Sequence, residues 1–289
     1  MTSEFVVHRP AGLLRGPVAA AVGYGQVGLE PGVHRGLPSP TLTLVVTLGD
    51  PLELVAHPDP AQAPGRYDAL VGGLHTAPAL IAHPGRQAGL QLGLDPLGAR
   101  RLLGVPAGEL ASLDCALAEV LGGAADELVE RVREAGSWPA RFAAADGVLT
   151  RAVLSRAARV RPDPPAEVGE AWRLTLASGG RLRVAELARR VGWSQRHLTA
   201  RFRAETGLGP KEAARVVRFD RARRALARRV AAGAPPDLAG LAAAAGYADQ
   251  SHLTRDWRAF SGLSPLRWLD AEFGFVQDGG VVPAAGSAA

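Results

Sequence analysis

The stretch "GWSQRHLTARFRAETGLGP", Gly192 to Pro210, returns in altered form as "GYADQSHLTRDWRAFSGLSP", Gly246 to Pro265. A duplication of this kind requires both segments to fold alike, which limits the helical half of the chain to a few architectures. Leu187, Ala188 and Gly192 recur as Leu241, Ala242 and Gly246. His197, Leu198, Thr199, Arg203, Ala204, Gly207, Leu208 and Pro210 recur as His252, Leu253, Thr254, Arg258, Ala259, Gly262, Leu263 and Pro265, one residue further apart.

Each copy predicts a short helix, a tight turn and a second helix. Val184, Leu187, Ala188 and Val191 are spaced i, i+3, i+4, i+7, as are Leu238, Leu241, Ala242 and Ala245, giving each first helix one apolar face. The glycine that follows permits a left-handed helix end. An aromatic, Trp193 or Tyr247, is then suited to wedge between helices. Ser194 and Asp249 are good N-caps for the second helix. That helix turns Leu198 and Phe202 inward in one copy, and Leu253, Trp257 and Phe260 in the other.

Helix, glycine turn and helix make a helix-turn-helix, whose second helix enters the DNA major groove. At about 100° per residue the outward face of the first copy carries Arg196, Thr199, Ala200 and Arg203. The second presents Ser251, Thr254, Arg255 and Arg258. Arginine reads guanine bidentately, while Ser and Thr serve base edges or phosphates. Gln195 and Gln250 lie in the first turns, within reach of a base edge or phosphate. His197 and His252 lack nearby ligand partners and read as helix residues contacting backbone or core.

Between the copies, "PKEAARVVRFDRARRALARRV" begins with a helix-favouring proline and is followed by Gly233, so it reads as one helix. About twenty residues make a rod of ~30 Å, close to the ~34 Å between successive major-groove faces on one side of a duplex. Its arginines, with those of the recognition helices, are expected to neutralise phosphates.

The segment from about Trp172 to Leu269 resembles the AraC-type transcriptional regulators. The resemblance is carried by Leu241-Ala242, Gly246-Tyr247, Asp249, Ser251-His252-Leu253, Arg255, Trp257, Gly262 and Ser264-Pro265, and by Arg218, Ala222 and Leu226 in the connecting helix. It implies two helix-turn-helix units joined by one helix, with DNA contacts at Arg196, Thr199 and Arg203 and at Gln250, Ser251 and Arg255. Ala200 departs from the polar residue common in the family, and Trp257 replaces a usual Phe.

Net charge supports a polyanionic partner for this half. Through Pro165 the chain has 14 basic and 16 acidic residues, and the remainder has 19 and 12. Only Lys211 is a lysine, an arginine bias of the kind a GC-rich bacterial genome produces. The single Cys115 excludes an intramolecular disulfide or Cys-built zinc site and reads as a small buried hydrophobe on a helix. It also argues against a DNA-repair alkyl-transfer protein, which needs a cysteine cluster. No apolar run spans a bilayer, and "MTSEFVVHRPAG" lacks the basic start of a signal peptide. A cytoplasmic protein with no membrane partner is expected.

From Thr41 to about Asp95, "TLTLVVTLGD", "LELVAH", "ALVGGLH", "ALIAH" and "GLQLGLD" read as strands of an antiparallel sandwich or small barrel. After Pro96 the rhythm becomes helical through "PAGELASLDCALAEVL", "ADELVERVREAG" and "PARFAAADGVLTRAVLSRAARV". Leu128, Val132, Leu149 and Val153 form either a dimer face or internal packing. His34, His57, His75 and His83 lack the close pairing of a metal-binding barrel and read as surface or turn residues. Short motifs in this half, among them "VVTLGDPLEL" and "VGGLHTAP", resemble the effector or oligomerisation half of one AraC-type subgroup.

The expected fold class is therefore α+β. A β-rich sensor or oligomerisation domain with C-terminal helices covers 1–160, a proline-rich linker 161–165, an all-α DNA-binding domain 166–273 and a disordered tail 274–289. The expected function is sequence-specific regulation of transcription on double-stranded DNA. RNA polymerase, an unidentified small-molecule effector and a second copy in a homodimer are candidate further partners. No catalytic residues, metal or cofactor are expected. The competing class is a ligand-binding or catalytic, DNA-repair-like protein with an accessory DNA-binding domain.

Overall fold

The computed structural model describes residues 2–157 and 163–272. Residues 161 and 162 of the expected linker and all of the expected tail lie outside these residues.

The N-terminal half is built on two antiparallel sheets. One has six strands: β1 (Thr2–His8), β2 (Val18–Val27), β4 (Leu42–Thr47), β7 (Ala69–Gly72), β9 (Arg86–Leu94) and β10 (Asp114–Ala116). Their order across the sheet is β1-β2-β9-β4-β7-β10. The other holds β3 (Gly32–Gly36), β5 (Leu52–Ala56), β6 (Gly65–Tyr67) and β8 (Ala79–His83), in the order β3-β8-β5-β6. All five stretches expected as strands are strands. The first three strands and β6 were not foreseen; Gly and Ala dominate β2 and β3, leaving little alternating apolar signal.

Helices cover one face of the larger sheet: α1 (Ala99–Leu103), α2 (Leu117–Leu121), α3 (Gly123–Glu134) and α4 (Trp138–Ala157). Strand periodicity explains the arrangement. In β9, Leu90, Leu92 and Leu94 alternate with Gln91 and Gly93, and the leucines are buried toward the helices. Leu42, Leu44 and Val46 do the same in β4. The main core thus lies between the larger sheet and the helices, whereas only Leu54, Leu70 and Ala79 form a small apolar cluster between the sheets.

Of the two readings of Leu128, Val132, Leu149 and Val153, internal packing is the one observed: all four are buried where α3 packs on α4. Two sequence expectations are corrected. Cys115 lies half-buried in β10 rather than on a helix, paired opposite Val71. "PAGELASLDCALAEVL" is accordingly a 3-10 turn (Ala107–Leu110), a strand and the short α2. Three of the four histidines read as surface or turn residues lie inside the fold: His57 and His83 are buried, and His34 lies within the sandwich, while His75 sits half-buried in the loop after β7. His57 Nδ1 and Asp114 Oδ2 share a hydrogen bond of 3.0 Å, which satisfies one of its nitrogens inside the fold.

The C-terminal half is all helical: α5 (Ala166–Ala177), α6 (Val184–Arg190), α7 (Gln195–Thr206), α8 (Pro210–Ala231), α9 (Leu238–Ala245), α10 (Gln250–Ser261) and α11 (Pro265–Ala271). Helices α5, α6 and α7 pack together, and α9, α10 and α11 form the second group, with α8 packed against both. Phe219 of α8 lies 5.3 Å from the Trp257 ring and 5.0 Å from Phe260. No described helix is long and apolar enough to cross a membrane.

Candidate nucleic-acid interface

The two turns between helices are built as the duplication predicts. Gly192 and Gly246 have φ of +73° and +84°, a conformation costly for any residue with a Cβ. Ser194 accepts a hydrogen bond from His197 N at 3.2 Å, and Asp249 accepts one from His252 N at 2.7 Å. These caps satisfy a donor that the start of each helix leaves open.

The wedging aromatics have specific partners. The Trp193 and His197 rings meet edge-on at 4.5 Å, and Tyr247 and His252 meet edge-on at 5.1 Å. Both histidines are thus explained as packing residues that lock the turn to the second helix. Burial raises the Tyr247 phenol well above its ordinary pKa, so it stays neutral.

One repeated device escaped the sequence reading. Thr206 and Ser261 occupy equivalent last positions of α7 and α10. Each hydroxyl donates to the carbonyl one turn back, Phe202 at 2.9 Å or Trp257 at 2.8 Å. Each also accepts from the amide two residues on, Leu208 at 3.3 Å or Leu263 at 3.2 Å. A Thr-to-Ser match two residues before a shared leucine was the available signal.

The outward faces separate into free and committed side chains. Gln195, Arg196, Gln250, Ser251, Arg255 and Arg258 are exposed, and their side chains make no hydrogen bond or ion pair with described residues. Thr199 and Thr254 are half-buried, at the edges of these faces. Arg203 is exposed but held by Glu212 at 2.7 Å, and Glu212 also caps α8 through Gly209 N. Arg201, which was not singled out, is exposed beside the first face.

Most arginines of the rod are not available to phosphate, contrary to expectation. Arg215 binds Asp256 at 2.8 Å and lies over the Phe260 ring. Arg218 donates to the Gly180 carbonyl at 2.5 Å. Arg223 and Arg224 both bind Asp220, a buried acid one turn away. Long arginine stems cover apolar surface, and the buried face of α8 recruits them as packing residues.

The N-terminal half grips the far ends of both second helices. Arg100 forms a buried ion pair with Glu205 near the end of α7. The 3-10 turn packs there as well, and a Cβ on Gly108 would fall 2.1 Å from the Ala204 carbonyl oxygen. Arg35 donates to the Ser261 carbonyl at 3.1 Å and pairs with Glu272 at 3.2 Å. The N-terminal ends of α7 and α10, with their exposed Gln, Arg and Ser side chains, are left open.

Two capped, duplicated helix-turn-helix units with short polar and arginine faces define a DNA-binding class of protein. Residues 187–271 match the family model described as a helix-turn-helix domain. That stretch is a helix-turn-helix domain of the AraC type. No curated protein matches the chain.

Solved structures similar in fold include ToxT from Vibrio cholerae. An apo ToxT variant is 8% identical, with 86% of this chain and 97% of that one aligned at a TM-score of 0.50. ToxT from strain O395 is 10% identical, with 86% and 96% covered at 0.49. Wild-type ToxT bound to an unsaturated fatty acid is 11% identical, with 93% and 95% covered at 0.48. At these identities the likeness is one of fold: a β-rich half followed by a helical half.

Proposed function

We propose that the chain is a sequence-specific transcriptional regulator that places α7 and α10 in adjacent major grooves of one duplex. The carrying observation is that the first-turn side chains of both copies, Gln195 and Arg196 in one and Gln250 and Ser251 in the other, are exposed and uncommitted. Arg196 and Gln195 act from α7, and Gln250, Ser251, Arg255 and Arg258 from α10. Thr199 and Thr254 contact the groove edge. Arg203 joins them only by exchanging Glu212 for DNA. The helix α8, 22 residues or about 33 Å long, sets the spacing.

Residues 1–160 act as the sensing half, and 166–273 as the DNA-binding half. An effector bound in the sensing half, or a second copy of the chain, changes how the two helices are presented. The cavity between the sheets supports the effector route. RNA polymerase is a further partner if the regulator activates transcription.

Genome-wide mapping of DNA bound by the full chain tests this reading. Bound fragments are expected to share two short motifs about one helical turn apart. Equal competition by random duplex would reduce the protein to a nonspecific DNA binder.

A further inference from the structure

The larger sheet lines the space between the two sheets with a cluster of amides and hydroxyls, set among Val22, Val45 and Leu70. Strands β2, β4 and β9 send Tyr24, Gln26, Thr43, Gln87 and Gln91 into it, while their alternate residues face the helices. In an ordinary sandwich the inner faces carry the apolar core. Here that core lies on the other side of the sheet, and a cavity of about 210 Å³ remains between the sheets. The opposing wall carries Leu52, Leu54 and Ile81 on β5 and β8, with His34 beside them on β3.

This polar cluster is incompletely satisfied. Gln87 Nε2 donates to Gln26 Oε1 at 2.6 Å. Gln26 is 2% exposed, and its own Nε2 has no partner among the described residues. The Gln91 amide and the Tyr24 hydroxyl likewise make no hydrogen bond to described residues. Buried polar groups left in this state destabilise a fold unless a guest supplies partners.

We infer that this slot binds a small, neutral, planar molecule with an amide-type edge, such as a lactam or a nucleobase. The inference rests on the reading of the N-terminal half as a sensor. A carboxamide offers a donor and an acceptor side by side, the pairing by which glutamine reads an adenine edge. Sheets about 10 Å apart, with side chains on both, leave room for roughly one ring layer. The volume is somewhat larger than the ~150 Å³ cavity that accommodates benzene, which restricts the guest to one or two rings.

Charge and wall chemistry reject the alternatives. Arg35 stands at the mouth but is engaged by Glu272 and the Ser261 carbonyl. Burial lowers the His34 imidazole to about 3, so it is neutral. Arg223 and Arg224 also line the slot, and both bind Asp220. A carboxylate guest therefore meets only cations that already hold an acid. A polyol needs hydrogen-bond partners on all sides, and Leu52, Leu54 and Ile81 provide none on theirs.

The test is calorimetric titration of the full chain with 2-quinolinone and with uracil, beside decanoate and glucose. Saturable binding of 2-quinolinone or uracil is expected, weakened about tenfold or more in Gln91→Leu or Gln26→Met. Gln91→Leu should melt no lower than the parent, because it replaces an unpaired amide with hydrocarbon. Failure of both ring compounds to bind, or binding indifferent to both substitutions, overturns the inference. Decanoate or glucose binding in their place also overturns it, and if either shifts DNA affinity the sensor reading survives. Ring binding that depends on Gln91 but leaves DNA affinity unchanged would uphold the ligand class and remove effector control.

Discussion

Arg100 of the β-rich half and Glu205 of the first recognition helix form an ion pair almost withdrawn from water, across 105 residues of sequence. Arg35 reaches the carbonyl of Ser261, one position beyond the counterpart of Glu205 in the second copy. The N-terminal half thus holds the same turn of both recognition helices, one by a carboxylate and one by a main-chain oxygen. Neither grip touches the exposed N-terminal ends, so the clasp leaves open the ends that the proposed function assigns to DNA.

Removing one partner of the buried pair should be costly. Arg100→Met leaves Glu205 buried without its cation, an arrangement that costs about 3–5 kcal/mol. Arg100→Met combined with Glu205→Met should recover much of that loss. Denaturant unfolding of the two single variants and the double variant checks the cycle; purely additive losses would mean the pair is not coupled.

Arg255→Ala removes an exposed arginine from the middle of α10. At the cognate site it should cost about 1–3 kcal/mol and relax preference at one base pair. Competition binding with single-base operator variants is the measurement. Equal weakening on cognate and random DNA would reassign Arg255 to a phosphate.

Asp249→Ala deletes the side chain that accepts from His252 N. A lost N-cap of this type costs about 1 kcal/mol, expected as a lower midpoint of thermal unfolding. Asp249→Ser, which keeps an acceptor, should recover most of the loss.

Glu272 makes the joint between the halves pH-dependent. Burial raises its carboxyl to about 7, against the opposing pull of Arg35 and Arg223. A carboxyl raised in the folded state binds more protons folded than unfolded. Its contribution is therefore fully present below the ordinary glutamate range and is lost as pH rises through about 7. Unfolding midpoints between pH 5 and 8 should decline with pH more steeply in the parent than in Glu272→Gln. Parallel slopes would show that another group governs this range.

The helical half was legible because its signals are local. Apolar spacing, the glycine at each turn, and the Ser194 and Asp249 caps act within a few residues of one another, so the sequence alone placed both recognition helices and their exposed faces. The strands from Leu42 to Leu94, the short β6 excepted, were legible for the same reason: alternation in β4 and β9 spans neighbouring residues.

Tertiary structure decided what those faces meet. Alternation in β9 distinguishes Leu90 from Gln91, but not which side of the sheet the helices cover, and hence not that the polar side encloses a cavity. His57 becomes a buried residue only because Asp114, distant in sequence, supplies its partner. Arg215, Arg218, Arg223 and Arg224 read as free cations until Asp256, the Gly180 carbonyl and the buried Asp220 claim them. The physical reason is common to all three: a helix or strand forms from neighbours along the chain, whereas burial and charge pairing depend on segments brought together only by folding.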